Sequence, residues 1–149
     1  SVINVEDMDT QASESADETQ VYREIEKELG IQVVRMGYKP KTMLLQRCTV
    51  DKTQKSAQMF YEYDREVVVY SIYMNNEDSS LGKRETDKIV NKFEIENNQK
   101  KITVTEYEVE NYNNHRFVAE FEDYGTHYQL RAVMKKAEFE KILKNLEFF

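Results

Sequence analysis

Between residues 17 and 29 apolar side chains return at helical intervals: Val21, Tyr22, Ile25 and Leu29, separated by Glu24, Glu26, Lys27 and Glu28. This spacing predicts a helix with a narrow apolar face, laid on a larger layer. Ser15 and Glu18 stand at capping-box spacing at its start, and Gly30 suits a left-handed cap at its end. After Gly30 the period shortens to that of strands. Short apolar runs follow at 31–35, 43–50, 57–63, 67–74, 102–109, 117–122 and 128–134. Residues 89–95 suit a strand or a short irregular helix, and the strand is favoured. Polar turns at Asp64-Arg65, Asn97 to Lys100, Asn111 to His115 and Asp123 to Gly125 separate the runs. The run Val67 to Met74 is apolar on both faces, which assigns it a central place in the sheet. Phe139, Ile142, Leu143 and Leu146 then form the apolar stripe of a final helix. No strand-helix-strand alternation occurs between the two helices, so a doubly wound parallel sheet is excluded. The expected fold class is α+β: an antiparallel curved β-meander of about six to eight strands, with an N-terminal and a C-terminal helix packed on it.

Charge adds a boundary. The formal net charge is -7, yet residues 1–20 hold six acids and no base, leaving 22 acids against 21 bases in the rest. Residues 1–16 are therefore read as an acidic flexible leader, and 17–149 as a single α+β domain. Neither the total nor the distribution supplies the basic stripe that nucleic acid requires. The single cysteine excludes an internal disulfide framework, and no apolar run approaches the ~18 residues of a membrane helix.

Candidate chemistry is sparse. The four glycines are too dispersed for a dinucleotide fingerprint, and Glu77 stands where a Walker loop before Gly82-Lys83 needs its first glycine. His115 and His127 both follow turns at strand starts, and their separation along the strands argues against a shared metal. Cys48 adjoins Arg47, but neighbours in a strand point to opposite faces, so a buried, inert thiol is expected. No catalytic residue, metal or cofactor is assigned, and no enzyme activity is expected. The ten tyrosines are the unusual feature. They either line a ligand groove or partner surface, or cover a sheet whose second face is partly shielded. Tyr61, Tyr73 and Tyr107, together with the loop from Asn75 to Asp87, are the interaction surface proposed at this stage.

Three stretches carry a resemblance: Phe117 to Glu122, Gly125 to Leu130, and Glu138 to Leu146. With Gly30-Ile31 and the segment Tyr38 to Met43, they resemble a bacterial domain-of-unknown-function family across roughly residues 18–149. That family is found as the extracytoplasmic C-terminal domain of membrane-anchored, anti-sigma-factor-like proteins of Gram-positive bacteria. The resemblance implies a domain outside the cell membrane, anchored by a transmembrane helix ahead of Ser1, and it brings no catalytic residues. The function expected is a non-enzymatic sensory or partner-binding module of a membrane-anchored regulatory protein. The alternative is a lipoprotein-carrier-like module for an apolar or envelope-derived ligand. The partner is then an unknown protein or envelope ligand, not nucleic acid, and the chain is expected to be monomeric.

Overall fold

A computed structural model describes residues 2–4, 14–74 and 87–149, with side chains described for 18–74 and 87–149. In chain order the elements are β1 (Val2–Asn4), α1 (Glu14–Leu29), β2 (Arg35–Met36), β3 (Leu44–Asp51), β4 (Ser56–Tyr63) and β5 (Glu66–Tyr73). There follow β6 (Ile89–Asn97), β7 (Lys100–Tyr107), β8 (His115–Asp123), β9 (Thr126–Met134), α2 (Lys136–Lys144) and β10 (Leu146–Glu147). The α+β reading holds: the sheet is antiparallel throughout and two helices accompany it.

The strand order corrects the single meander. It runs β1-β3-β4-β5-β9-β8-β7-β6, so two meanders, β3 to β5 and β6 to β9, meet at a β5–β9 seam. Local turns set the order inside each half. At Asp64-Arg65, Asn98-Gln99 and Tyr124-Gly125 both residues of a two-residue loop have positive φ, the backbone that matches strand twist in tight hairpins. The seam has no turn to announce it, because it joins strands more than fifty residues apart. The double-sided apolar strand β5 does lie in the middle of the sheet, as its composition requires.

One sheet face is apolar and covered. Cys48, Met59, Tyr70, Leu130, Ala119 and Val104 stand opposite one another in successive strands, all fully buried. A second row is Val50, Ala57, Ile72, Tyr128 and Phe121. The cover consists of α1 beside β3, α2 over β6, β8 and β9, and a small ribbon in which β2 pairs with β10. Helix α1 buries Val21, Tyr22, Ile25 and Leu29, and α2 buries Phe139, Ile142 and Leu143, with Phe139 stacked on Phe117 at 5.2 Å. These are the faces the periodicity predicts, except that Leu146, expected on the final helix, lies in β10. Gly30 has φ of +67° and its N–H donates to the Glu26 carbonyl at 2.8 Å, the expected left-handed cap.

Three boundaries differ from expectation. Helix α1 begins at Glu14, so Ser15 lies inside it, and Glu18 pairs with Lys39 instead of closing a capping box. Val2–Asn4 pair with β3, which joins the start of the acidic leader to the sheet edge. The chain continues past α2 into β10, and the Asn97 side-chain amide donates to the Leu143 and Leu146 carbonyls, each at 2.9 Å, fastening that corner.

Of the strand expected over 31–35, residues 31–34 pair with no strand; only Arg35, with Met36 beyond it, enters a ladder. Tyrosine hydroxyls and a carboxylate meet their backbone instead. Tyr128 accepts from the Val34 N–H at 3.1 Å, Tyr70 donates to the Val34 carbonyl at 2.5 Å, and Tyr22 accepts from the Met36 N–H at 3.1 Å. The Glu26 carboxylate accepts from the Val33 N–H at 2.9 Å.

Two stability measurements follow. Leu143→Ala, at a site with no solvent exposure, is expected to cost about 2–5 kcal/mol in denaturant unfolding. Tyr70→Phe keeps the ring but strands the buried Val34 carbonyl, and is expected to cost about 1–3 kcal/mol. Near-neutral results at both positions would contradict the core and the latch.

Candidate functional site

The three tyrosines expected to share a surface do not. Alternation along β4 places Tyr61 on the same side as Ala57 and Met59, and it is 1% exposed beneath the cover. Tyr73 lies on the opposite, open face, where it stacks on His127 with ring centroids 5.5 Å apart. Tyr107 shares that face but pairs with Arg116 at the far end of the strands. His127 and the Arg116 partner Val133 are six residues apart on β9, which separates the two tyrosines by about 20 Å along the strand direction. Residues 75–86 of the proposed loop lie outside the described residues; Asp87 is ion-paired with Arg116.

The open face is mixed, with a polar row across it and Phe60, Val69 and Val118 in the next. Thr49, Gln58, Ser71, Gln129, Glu120, Thr103 and Glu94 form one row across it, and the Gln58 side-chain amide donates to the Ser71 hydroxyl at 3.2 Å. The Arg47 guanidinium sits 4.1 Å above the Phe60 ring on the same side. Cys48 points the other way and is fully buried, and burial pushes its thiol up to about 12. The histidines lie at opposite ends of the β8–β9 hairpin: His115 Nδ1 is 2.5 Å from Glu106 and His127 Nδ1 is 3.6 Å from Glu122. Among the described residues no three candidate ligands converge on a metal position.

The structure gathers polar groups elsewhere, where α1, the 35–41 turn and β10 meet. A pocket of about 380 Å³ opens there, lined by Glu18, Thr19, Tyr22, Arg35, Met36, Gly37, Lys39, Pro40, Lys41 and Glu147. Its floor is charged and nearly dry. The Glu18 carboxylate, 6% exposed, lies 2.5 Å from Lys39 Nζ, itself in a side chain 16% exposed. The Lys39 ammonium also lies 5.2 Å from the centre of the Tyr61 ring. The hydroxyls of Tyr61 and Tyr22 adjoin each other and the Glu18 carboxylate. Burial, and after it the Glu18 charge, drives the Tyr22 hydroxyl far above the usual tyrosine range. Tyr61 is raised as well, by burial first and then by Tyr22 and Glu18. Both phenols therefore stay protonated hydrogen-bonding groups across the physiological range.

Arg35 is held at the rim by Glu26 at 2.8 Å, and its guanidinium lies 5.2 Å from the Tyr22 ring centre. Gly37 makes the close approach of the rim possible. Its N–H donates to the Asn145 carbonyl at 3.0 Å, and a Cβ there would meet the same oxygen at 2.7 Å. Sequence reasoning missed this site because its members, all between residues 18 and 41 except Glu147, are ordinary helix and turn residues until the fold sets Glu18 against Lys39. One local signal was present: Glu18 stands one turn before Tyr22 on the apolar side of α1.

A buried ion pair is a weak source of stability but costly to break. Lys39→Met is expected to lose about 3–5 kcal/mol by taking the Lys39 ammonium away from the buried Glu18 carboxylate. Combining it with Glu18→Gln should recover most of that loss in urea unfolding. Alkaline pH tests the buried hydroxyls and thiol together. Burial raises Cys48 from 9.0 and Tyr128 from 10.0, each to about 12. Above the ordinary values the unfolded chain releases these protons while the folded chain keeps them, so stability falls as pH rises. Unfolding free energy should hold up to about pH 9 and decline toward about 12; a flat profile over that window would contradict the burial.

No curated protein and no solved structure matches the chain. The profile of DUF4367, a domain of unknown function, matches residues 33–146. That span contains β3 to β9, the seam and α2, so the chain belongs to the DUF4367 family.

Proposed function

We propose that this domain is a non-enzymatic recognition module of a membrane-anchored regulatory protein, held on the extracytoplasmic side, and that it senses a small polar ligand. The observation that carries this reading is the Glu18–Lys39 pair, largely buried beside Tyr22 in the lining of an open pocket. A fold gains little stability from such a group, whereas a binding site uses it to fix the orientation of a polar ligand. Thr19, Arg35, Lys41 and Glu147 supply a donor and charges of both signs around the opening. In a chain tethered through its N-terminus, a ligand seated against α1 bears on the helix nearest the tether. An apolar carrier function is less well supported, because Tyr70, Tyr128, Phe117, Phe139, Met59 and Leu130 fill the space between sheet and cover.

The test is to fill the pocket without disturbing its floor. Thr19→Trp in the full-length protein should keep the thermal midpoint and alter the linked transcriptional response. Tyr73→Ser, on the open face, should leave the response unchanged. A folded Thr19→Trp protein with normal signalling would contradict the pocket as the sensory site. A response altered by Tyr73→Ser alone would transfer recognition to the open face.

A further inference from the structure

Strand β6 ends the sheet, and among the described residues nothing pairs with its outer edge. Nine residues long, it is unusually extensive for an edge. Ile89 and Val90 at its start are 49% and 42% exposed. Edges are commonly blunted by charged side chains, proline or bulges, and β6 is bulged between Ile89 and Asn91, which leaves Asn91 to Asn97 as its regular edge. Here Lys92 alternates with Glu94 and Glu96 on the same side of the strand, a pattern that repels neither charge and suits a partner carrying the reverse order.

We infer that the partner is a second copy of this chain, joined through antiparallel β6–β6 pairing about a two-fold axis at Phe93. The hydrogen-bond pattern permits this register. The two-residue turn after Asn97 makes Asn97 and Lys100 a hydrogen-bonded pair, so Asn97, Ile95 and Phe93 direct their backbone groups toward β7. Lys92, Glu94 and Glu96 therefore direct theirs outward, where a new strand would lie. Centring the axis on Phe93 sets Lys92 of each copy directly opposite Glu94 of the other, twice by symmetry. Moving the axis to Lys92 sets Lys92 against Lys92, and moving it to Glu94 sets Glu94 against Glu94 between two Lys92–Glu96 pairs, so only the Phe93 register has opposite charges without a like-charge contact at the axis. Charge therefore selects the register, and the pairing satisfies the edge backbone of both copies.

The experiment is sedimentation equilibrium of the whole chain from micromolar to millimolar concentration, with the charge-reversal variants Lys92→Glu and Glu94→Lys and the double swap. Both side chains are exposed, and a circular-dichroism melt checks that each variant folds. The wild-type chain should associate as a dimer. Each single reversal converts two attractive pairs into two repulsive ones and should weaken association by about tenfold or more. The double swap restores opposite charges across the axis and should return the wild-type dissociation constant. A monomer throughout the range, a dimer indifferent to the single reversals, or a double swap no better than the singles would overturn the proposal.

Discussion

An extended segment buried without a strand partner carries N–H and C=O groups that must be met by something else. Residues 31–34 face this constraint between α1 and β2, with Val33 and Val34 wholly out of solvent. The Tyr128 hydroxyl accepts from Val34 and lies 3.4 Å from the Gln32 carbonyl, Tyr70 serves the Val34 carbonyl, and Tyr22 serves Met36. Each ring also contributes apolar surface: Tyr128 stacks on Tyr70 at 5.9 Å and on Phe121 at 4.8 Å. Tyrosine suits both requirements, since phenylalanine would leave the backbone groups unmet and a smaller polar residue would not reach them. The position of the ribbon follows from this latch, and the rim of the polar pocket follows from the ribbon.

Much of the fold is legible in the sequence because it is local. Alternation marks the strands, the apolar stripe of each helix marks its buried face, and Gly30 marks the end of α1. The arrangement of the two meanders is not local. Nothing in β5 names β9 as its neighbour, and the seam forms because both strands carry apolar residues that need the middle of the sheet. The tyrosines illustrate the same limit within one strand. Ala57, Met59 and Tyr61 alternate, so parity alone puts Tyr61 in the core, yet its hydroxyl suggests a surface. The hydroxyl lies beside Glu18 and Tyr22, which arrive from a helix some forty positions earlier.

The pocket was illegible for a related reason. Glu18, Lys39 and Glu147 are ordinary surface residues by type, and only the closing of the cover over the sheet brings them to one opening. Together they place a buried ion pair beside the Tyr22 phenol under a rim of mixed sign. The family match runs from β2 through β9 and α2 but begins after α1, so Glu18, Thr19, Tyr22 and Glu147 lie outside the matched residues. The helix that completes the pocket is thus supplied by the part of the chain next to the proposed tether.

Native-state hydrogen exchange at the Val34 and Met36 amides tests the latch most directly. In the wild-type chain both should exchange only through global unfolding, as slowly as the central amides of β5 and β9. In Tyr128→Phe, Val34 should lose protection selectively while Met36, held by Tyr22, keeps it. Rapid exchange of both amides in the wild-type chain would contradict the account, since the ribbon and the pocket it borders would then have no fixed anchor on the sheet.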